Sequence, residues 1–523
     1  MTVHDLSRRA LIAGGLVLPS GVHAASASPV AETTNGPVRG HIDQGIKVFK
    51  GVRYGADTGP RRFRPPLAPP PWRKTLDATA YGPSAPQGGR DEERQSEDCL
   101  FLNVWTPGLR DGRRRPVMVY LHGGGYSSGS GSSPLYDGVR LCRRGEVVVV
   151  TINHRLNVLG YGFLAKLAGP DFADSGNAGM LDILLALAWV RDNAAEFGGD
   201  PGRVMVFGQS GGGAKIATMM AMPAAAGLFH SAATMSGQQV TASGPLHATE
   251  RMGLFLAAVG LTPERAGEAA TLPVGKLLEG LSVRDPFTPG GLYFGPVLDE
   301  RSLTRHPFWP DAAPQGLKIP MIIGNTRDEV RAFVARTRPD PFAMGWDEVA
   351  GRIAPEMRVD IDPDHVVAEY RKLYPDYSPS EVFFAAITAG RSWRGAVIEA
   401  EERAQAGAPA WVYQLDLPST VEGGRLRAMH TADIPLVFDN LAARGSPVAP
   451  SAAAQSVADA MSEAFIALAK TGNPNCEALP AWTPYDLSRR ATMVFDAETR
   501  LVDDPRGAER RLFAKVPYIQ PGT

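Results

Sequence analysis

The sequence predicts an α/β protein: a large, mostly parallel sheet with helices on both faces and a helical insertion. Three observations carry this prediction. Short continuous apolar runs such as "PVMVYL" and "GEVVVVTI" suit strands covered on both sides. Longer stretches with helical spacing alternate with them, as in "AGMLDILLALAWVRDNAAEFGG". Abrupt glycine turns such as "HGGGY" and "GQSGGG" end the apolar runs. Strand and helix in alternation build a sheet with helices on both faces.

Taken in order, "GPVRGHID" and "GIKVFKGVRYG" predict an antiparallel hairpin. "RRFRPPLAPPPW" can be neither helix nor central strand, because proline lacks the N–H both require. "CLFLNVWTP", "PVMVYLHGGGY" and "GEVVVVTINHRL" predict three strands, and the helix quoted above follows. "RVMVFGQ" predicts the next buried strand and "AKIATMMAMPAA" the helix after it. Past Ser236 the pattern loosens, and residues 245–315 mix short helices with Pro/Gly loops. "IPMIIGN" restores a strand with acids at its end, residues 340–405 are mostly helical, and "AWVYQLD" is another strand. "AAAQSVADAMSEAFIALAKTG" is a late amphipathic helix. No repeat or linker divides the chain, so residues 28–523 are expected to form a single domain.

The chain has 523 residues, 44% hydrophobic and 21% charged, with a formal net charge of -1. That balance offers nothing to nucleic acid or an anionic surface. No apolar run is long enough to span a membrane. Cys99, Cys142 and Cys476 have neither metal-ligand spacing nor the pattern of a disulfide framework. The N-terminus carries Arg8-Arg9 and then an apolar run to Val22, with small residues near Ala24 and Ala27. This is the pattern of a twin-arginine export leader over residues 1–27, so a periplasmic or secreted protein is expected. Oligomeric state leaves no mark in the composition.

The chemistry centres on Gly208-Gln209-Ser210-Gly211-Gly212. G-x-S-x-G between a strand and a helix presents a nucleophilic serine on a strained turn. Small residues are needed there because strand and helix pass close together. No Gly-Lys-Ser/Thr follows, which sets aside a phosphate loop. His122-Gly123-Gly124-Gly125-Tyr126 also follows an apolar strand. Backbone N–H groups of Gly124, Gly125 and Gly211 are the candidate donors to a developing oxyanion. A serine hydroxyl needs a base. With the chain order serine, acid, histidine, only His365 and His430 follow an acid at the "IPMIIGN" strand end. His365 sits among exposed charge and His430 among small residues after a strand, so His430 is the expected base. Asp328 and Glu329 both qualify as the acid, and spacing does not choose between them.

These motifs resemble the type-B carboxylesterases, the α/β-hydrolase family that includes cholinesterases and p-nitrobenzyl esterases. The resemblance runs from about Val38 to about Asp496, through "SEDCLFLNV", "HGGGY", "GNAGMLDILLALAWVRDNAAEFGGDPGRVMVFGQSGGG", "GNTRDE", "MHTADIPLVF" and "KTGNPN". It implies Glu329 as the acid, His430 as the base, Ser236 as a supporting serine beside them, and an ion pair between Arg62 and Glu97. It implies hydrolysis of a small-molecule carboxylic ester through an acyl-enzyme, on a foreign or scavenged substrate, with no metal or organic cofactor. Amide, carbamate or thioester cleavage at the same site is the first rival, and a non-catalytic binding module of the same fold the second. Two departures stand out. Gln209 and Gly211 replace the family's usual Glu and Ala. Cys99 has lost its usual partner, since "GPSAPQ" carries no cysteine, so the loop between them is expected to be held by packing alone. That loop also lacks the cation-binding tryptophan of cholinesterases, which argues against choline esters. Phe287, Phe294, Phe383, Phe384 and Trp393 are the aromatics near the pocket-forming loops, and each equally suits core packing.

Overall fold

A computed structural model describes residues 28–89, 94–287, 290–520 and 522. The expected export leader, residues 1–27, lies outside the described residues. The main sheet has eleven strands. They are β1 (His41–Asp43), β2 (Ile46–Arg53), β3 (Phe101–Thr106), β4 (Arg115–Leu121), β5 (Val148–Ile152) and β6 (Gly199–Gln209). Then come β7 (Ser231–Met235), β8 (Met321–Thr326), β9 (Ala410–Leu415), β10 (Ala491–Phe495) and β11 (Arg500–Asp503). The spatial order is β11-β10-β9-β8-β7-β6-β4-β5-β3-β2-β1. From β5 through β10 every pairing is parallel, and the strands outside that run pair antiparallel.

Alternation along each strand feeds two cores. Val117, Val119 and Leu121 of β4 face one side, where α1 (Ala178–Asn193), α2 (Gly211–Met219) and α3 (Arg394–Gln405) pack through Met180, Ile216 and Ala400. Met118 and Tyr120 face the other side, against Val457, Met461 and Phe465 of α4 (Ala452–Thr471). Each fully buried valine or leucine here is worth about 1.5–3 kcal/mol. A third cluster, with Val349, Val366, Tyr370 and Phe384, is the core of the expected helical insertion.

Three details differ from expectation. Gly36–Arg39 does not share the first hairpin: it pairs with Val30–Thr33 and Leu76–Asp77 in a separate small sheet. The hairpin is β1–β2 alone. Strands β7, β10 and β11 escape the sequence pattern. β7 reads "SAATM", and alanine and serine carry little strand propensity; burial on both faces holds it. The loop before Cys99 is not held by packing alone. Gln87 exchanges two hydrogen bonds with Gly129, donating at 3.0 Å and accepting at 2.7 Å. Asn153 and Asn157 donate to the carbonyls of Pro83 and Pro86 at 2.9 and 2.8 Å. Side-chain amides thus tie this loop down while all three cysteines stay free. Arg62 and Glu97 form the expected ion pair, with Nη2 donating to Oε2 at 2.6 Å.

Candidate active site

Four neighbouring strands, β6 to β9, end at one place. Ser210 follows β6, Ser236 follows β7, Glu329 lies just past β8 and His430 past β9. The carboxyl ends of parallel strands are where open α/β sheets gather ligand groups. Ser210 has φ 56° and ψ -126°, a strained conformation for a residue with a side chain. At Gly212 a Cβ would overlap the Leu121 carbonyl oxygen, so the strand-to-helix turn can close only on glycine there.

His430 Nδ1 and Glu329 Oε2 lie 2.5 Å apart. Glu329 is fully buried, and its Oε1 accepts from the Thr326 N–H at 2.8 Å and Asn325 Nδ2 at 3.2 Å. Burial pushes the carboxyl pKa up, but the charge and hydrogen bond of His430 and the Thr326 N–H outweigh it, and the net direction is down. Asp328 turns away and pairs with Arg331 Nε at 2.9 Å. His365 is exposed on the helix Pro363–Leu373. The Gln209 amide nitrogen lies 3.1 Å from His430 Nε2 and 3.4 Å from Nδ1, against the ring face and not in line with either nitrogen's lone pair. The carboxylate at Nδ1 selects the tautomer with the proton on Nδ1 and the lone pair on Nε2.

The groups meet in an open cavity of about 290 Å³, lined by Gly125, Ser210, Gly211, Ser236 and His430 among others. Gly124 is one step back. Its φ is +93°, its carbonyl accepts from the Ser127 and Ser128 N–H groups, and it does not line the cavity. The cavity aromatics are Tyr126, Tyr293, Phe333 and Tyr518. Phe294, Phe383 and Phe384 are in the core instead, Phe287 stacks on His247, and Trp393 lies under Arg506.

Two buried charged groups were not legible as site residues. Lys215 on α2 is fully buried, and its Nζ donates to the Gly125 carbonyl at 2.8 Å. Burial pushes its pKa down to about 7. A lysine on the apolar face of a helix, five residues after the serine, was the available signal. Asp433 is also buried and accepts from the Tyr413 hydroxyl at 2.8 Å. Burial and then the Glu329 charge push its pKa up to about 7.

The carboxylesterase family model matches residues 27–513. The chain belongs to the carboxylesterase family. It is 34% identical over 495 residues to the para-nitrobenzyl esterase of Bacillus subtilis, covering 92% of this chain and 98% of that protein. It is 32% identical to the phenmedipham hydrolase of Pseudarthrobacter oxydans, covering 90% and 95%. The crystal structure of a Geobacillus stearothermophilus carboxylesterase superimposes with a TM-score of 0.83 at 35% identity, over 92% of this chain and 99% of that one. This carboxylesterase is therefore a carboxylic ester hydrolase with the α/β-hydrolase fold. Among the described residues no helix is long and apolar enough to cross a membrane.

The departure at position 211 has a physical reason in this carboxylesterase. A Cβ on Gly211 would overlap the Gly125 carbonyl oxygen, which also accepts from Lys215 Nζ. Gly211→Ala, which restores the family's usual residue, is expected to push the Gly125 loop back. The expected loss in kcat/KM for p-nitrophenyl butyrate is about 10²–10³, the size of a lost oxyanion donor. An unchanged rate in that assay would mean that the loop yields without harm.

Proposed function

We propose that this carboxylesterase cleaves small-molecule carboxylic esters through an acyl-enzyme formed on Ser210. The observation that carries this reading is the Glu329–His430 pair at 2.5 Å, facing the cavity into which the strained Ser210 turn projects. His430 takes the serine proton at Nε2 as Oγ attacks the ester carbonyl. Among the described residues no hydrogen bond joins Ser210 to His430, so Oγ must turn toward Nε2 on the way to reaction. The N–H groups of Gly124, Gly125 and Gly211 stabilise the oxyanion. His430 then protonates the leaving alcohol and activates the water that frees the acid. Glu329 orients His430 and stabilises its charged form, and Ser236 steadies Glu329.

The same reading covers the rest of the chain. Residues 28–523 form a single domain, and residues 1–27 direct export to the periplasm or beyond. The substrate is then a foreign or scavenged ester met outside the cytoplasm. The test is covalent labelling with a fluorophosphonate probe. One equivalent, mapped to the Ser210 peptide, is expected to abolish hydrolysis of p-nitrophenyl butyrate. Turnover that persists after full labelling, or a label on another residue, would overturn the assignment.

A further inference from the structure

The cavity beside Ser210 is cationic. Arg358 and Arg391 both line it, together with Gln238, Gln520, Tyr293 and Tyr518. Arg391 belongs to the π-helical turn Thr388–Trp393, a rare conformation that tends to mark functional sites. Its charge is already matched: it is paired with Glu356, and it lies 5.5 Å over the Phe333 ring, which is tilted against the His430 ring at 4.7 Å. Arg358 is different. Among the described residues its guanidinium has no ion pair and no hydrogen bond. Its backbone, by contrast, is clamped, with the N–H donating to the Gly390 carbonyl at 3.2 Å and the carbonyl accepting from Ile519 at 2.7 Å.

Arg358 is half-buried at the cavity wall, and burial and then the like charge of Arg391 lower its pKa, only partly offset by Tyr518, Tyr293 and Glu356. Such a group persists where something outside the chain completes it. The flat, five-donor guanidinium matches a carboxylate in bidentate fashion. A neutral ester would leave that group unmatched in the cavity, which disfavours it relative to an anionic one.

We infer that this enzyme acts on esters that carry a free carboxylate, held by Arg358 while Ser210 attacks the ester carbonyl in the same cavity. The inference rests on the serine-hydrolase reading above and names its substrate class. The reaction consumes one water per ester bond, and the carboxylate held by Arg358 is unchanged by it. With the carboxylate on the acyl side the product is a dicarboxylate; with it on the alcohol side, a hydroxy acid.

The test compares matched pairs by titration of released acid. Monoethyl adipate against ethyl hexanoate places the charge on the acyl side; 6-acetoxyhexanoate against hexyl acetate places it on the alcohol side. The full chain is expected to favour the charged ester of at least one pair by tenfold or more in kcat/KM. That ratio should fall to near or below one in Arg358→Gln, and recover in part in Arg358→Lys. The ratio, not the absolute rate, is the readout, so a partly folded variant still reports. If the wild-type enzyme favours the neutral ester in both pairs, the inference is wrong. A preference that survives Arg358→Gln would take the role away from Arg358. Should none of the four esters turn over and Ser210 also resist the phosphonate, the serine-hydrolase reading fails first and carries this one with it.

Discussion

Ser210→Ala is expected to lower kcat on p-nitrophenyl butyrate by about 10⁶-fold, with KM changed only a few-fold. That loss is about 8 kcal/mol of transition-state stabilisation. The reason is that the covalent route disappears entirely, while the cavity and its N–H donors stay. The substitution removes one oxygen at a residue with positive φ, φ 56°, so the turn itself carries the remaining strain. A residual rate above the uncatalysed one by roughly 10³ would reflect those donors acting on water attack. The check is steady-state kinetics on protein whose thermal midpoint matches wild type. A variant that retains a tenth of the activity would show that another group attacks the ester.

Glu329→Gln is expected to lower kcat by about 10⁴-fold. The amide keeps the shape of the acid but offers His430 Nδ1 either a neutral oxygen or an N–H donor. The tautomer with a free Nε2 is then no longer preferred, and the imidazolium formed during attack has no counter-charge. Asp328→Asn should cost far less, because Asp328 pairs with Arg331 rather than with His430. The pair also leaves a mark on stability. The folded Glu329 pKa lies below its unfolded value, so the unfolded chain binds more protons between the two. Stability therefore rises with pH through that window, is fully present above the unfolded value, and is lost as pH falls through the folded value. Urea melts of wild type and Glu329→Gln between pH 3 and pH 7 should converge on the acid side. Parallel curves across the whole range would show that the pair adds no pH-dependent stability.

Much of this arrangement is legible in the amino-acid sequence. The parallel strands stood out because burial on both faces leaves uninterrupted apolar runs, as in "VVVVTI" of β5. The Ser210 turn stood out because a tight strand-to-helix crossing forces glycines within two residues of the serine. Ser231–Met235 did not stand out, since an alanine-rich strand between β6 and β8 is specified by its neighbours rather than by its own side chains. Lys215 does not stand out either, because its helix reads as apolar and nothing nearby in sequence shows that the Gly125 carbonyl will meet its ammonium.

The α/β architecture, the serine and its turn, and the glycines of the His122–Tyr126 loop are written in the chain, because interactions within a few residues set them, and the family resemblance already implies Glu329 as the acid. Packing is what brings Glu329 to His430 while Asp328 turns to Arg331, lays the Gln209 amide against the imidazole, and leaves Arg358 facing the cavity with no partner among the described residues. Those outcomes depend on groups a hundred or more residues apart being held within a few ångströms. Distances of that kind belong to the packed chain, because side-chain chemistry names what a residue can bind while packing alone supplies what is there to be bound.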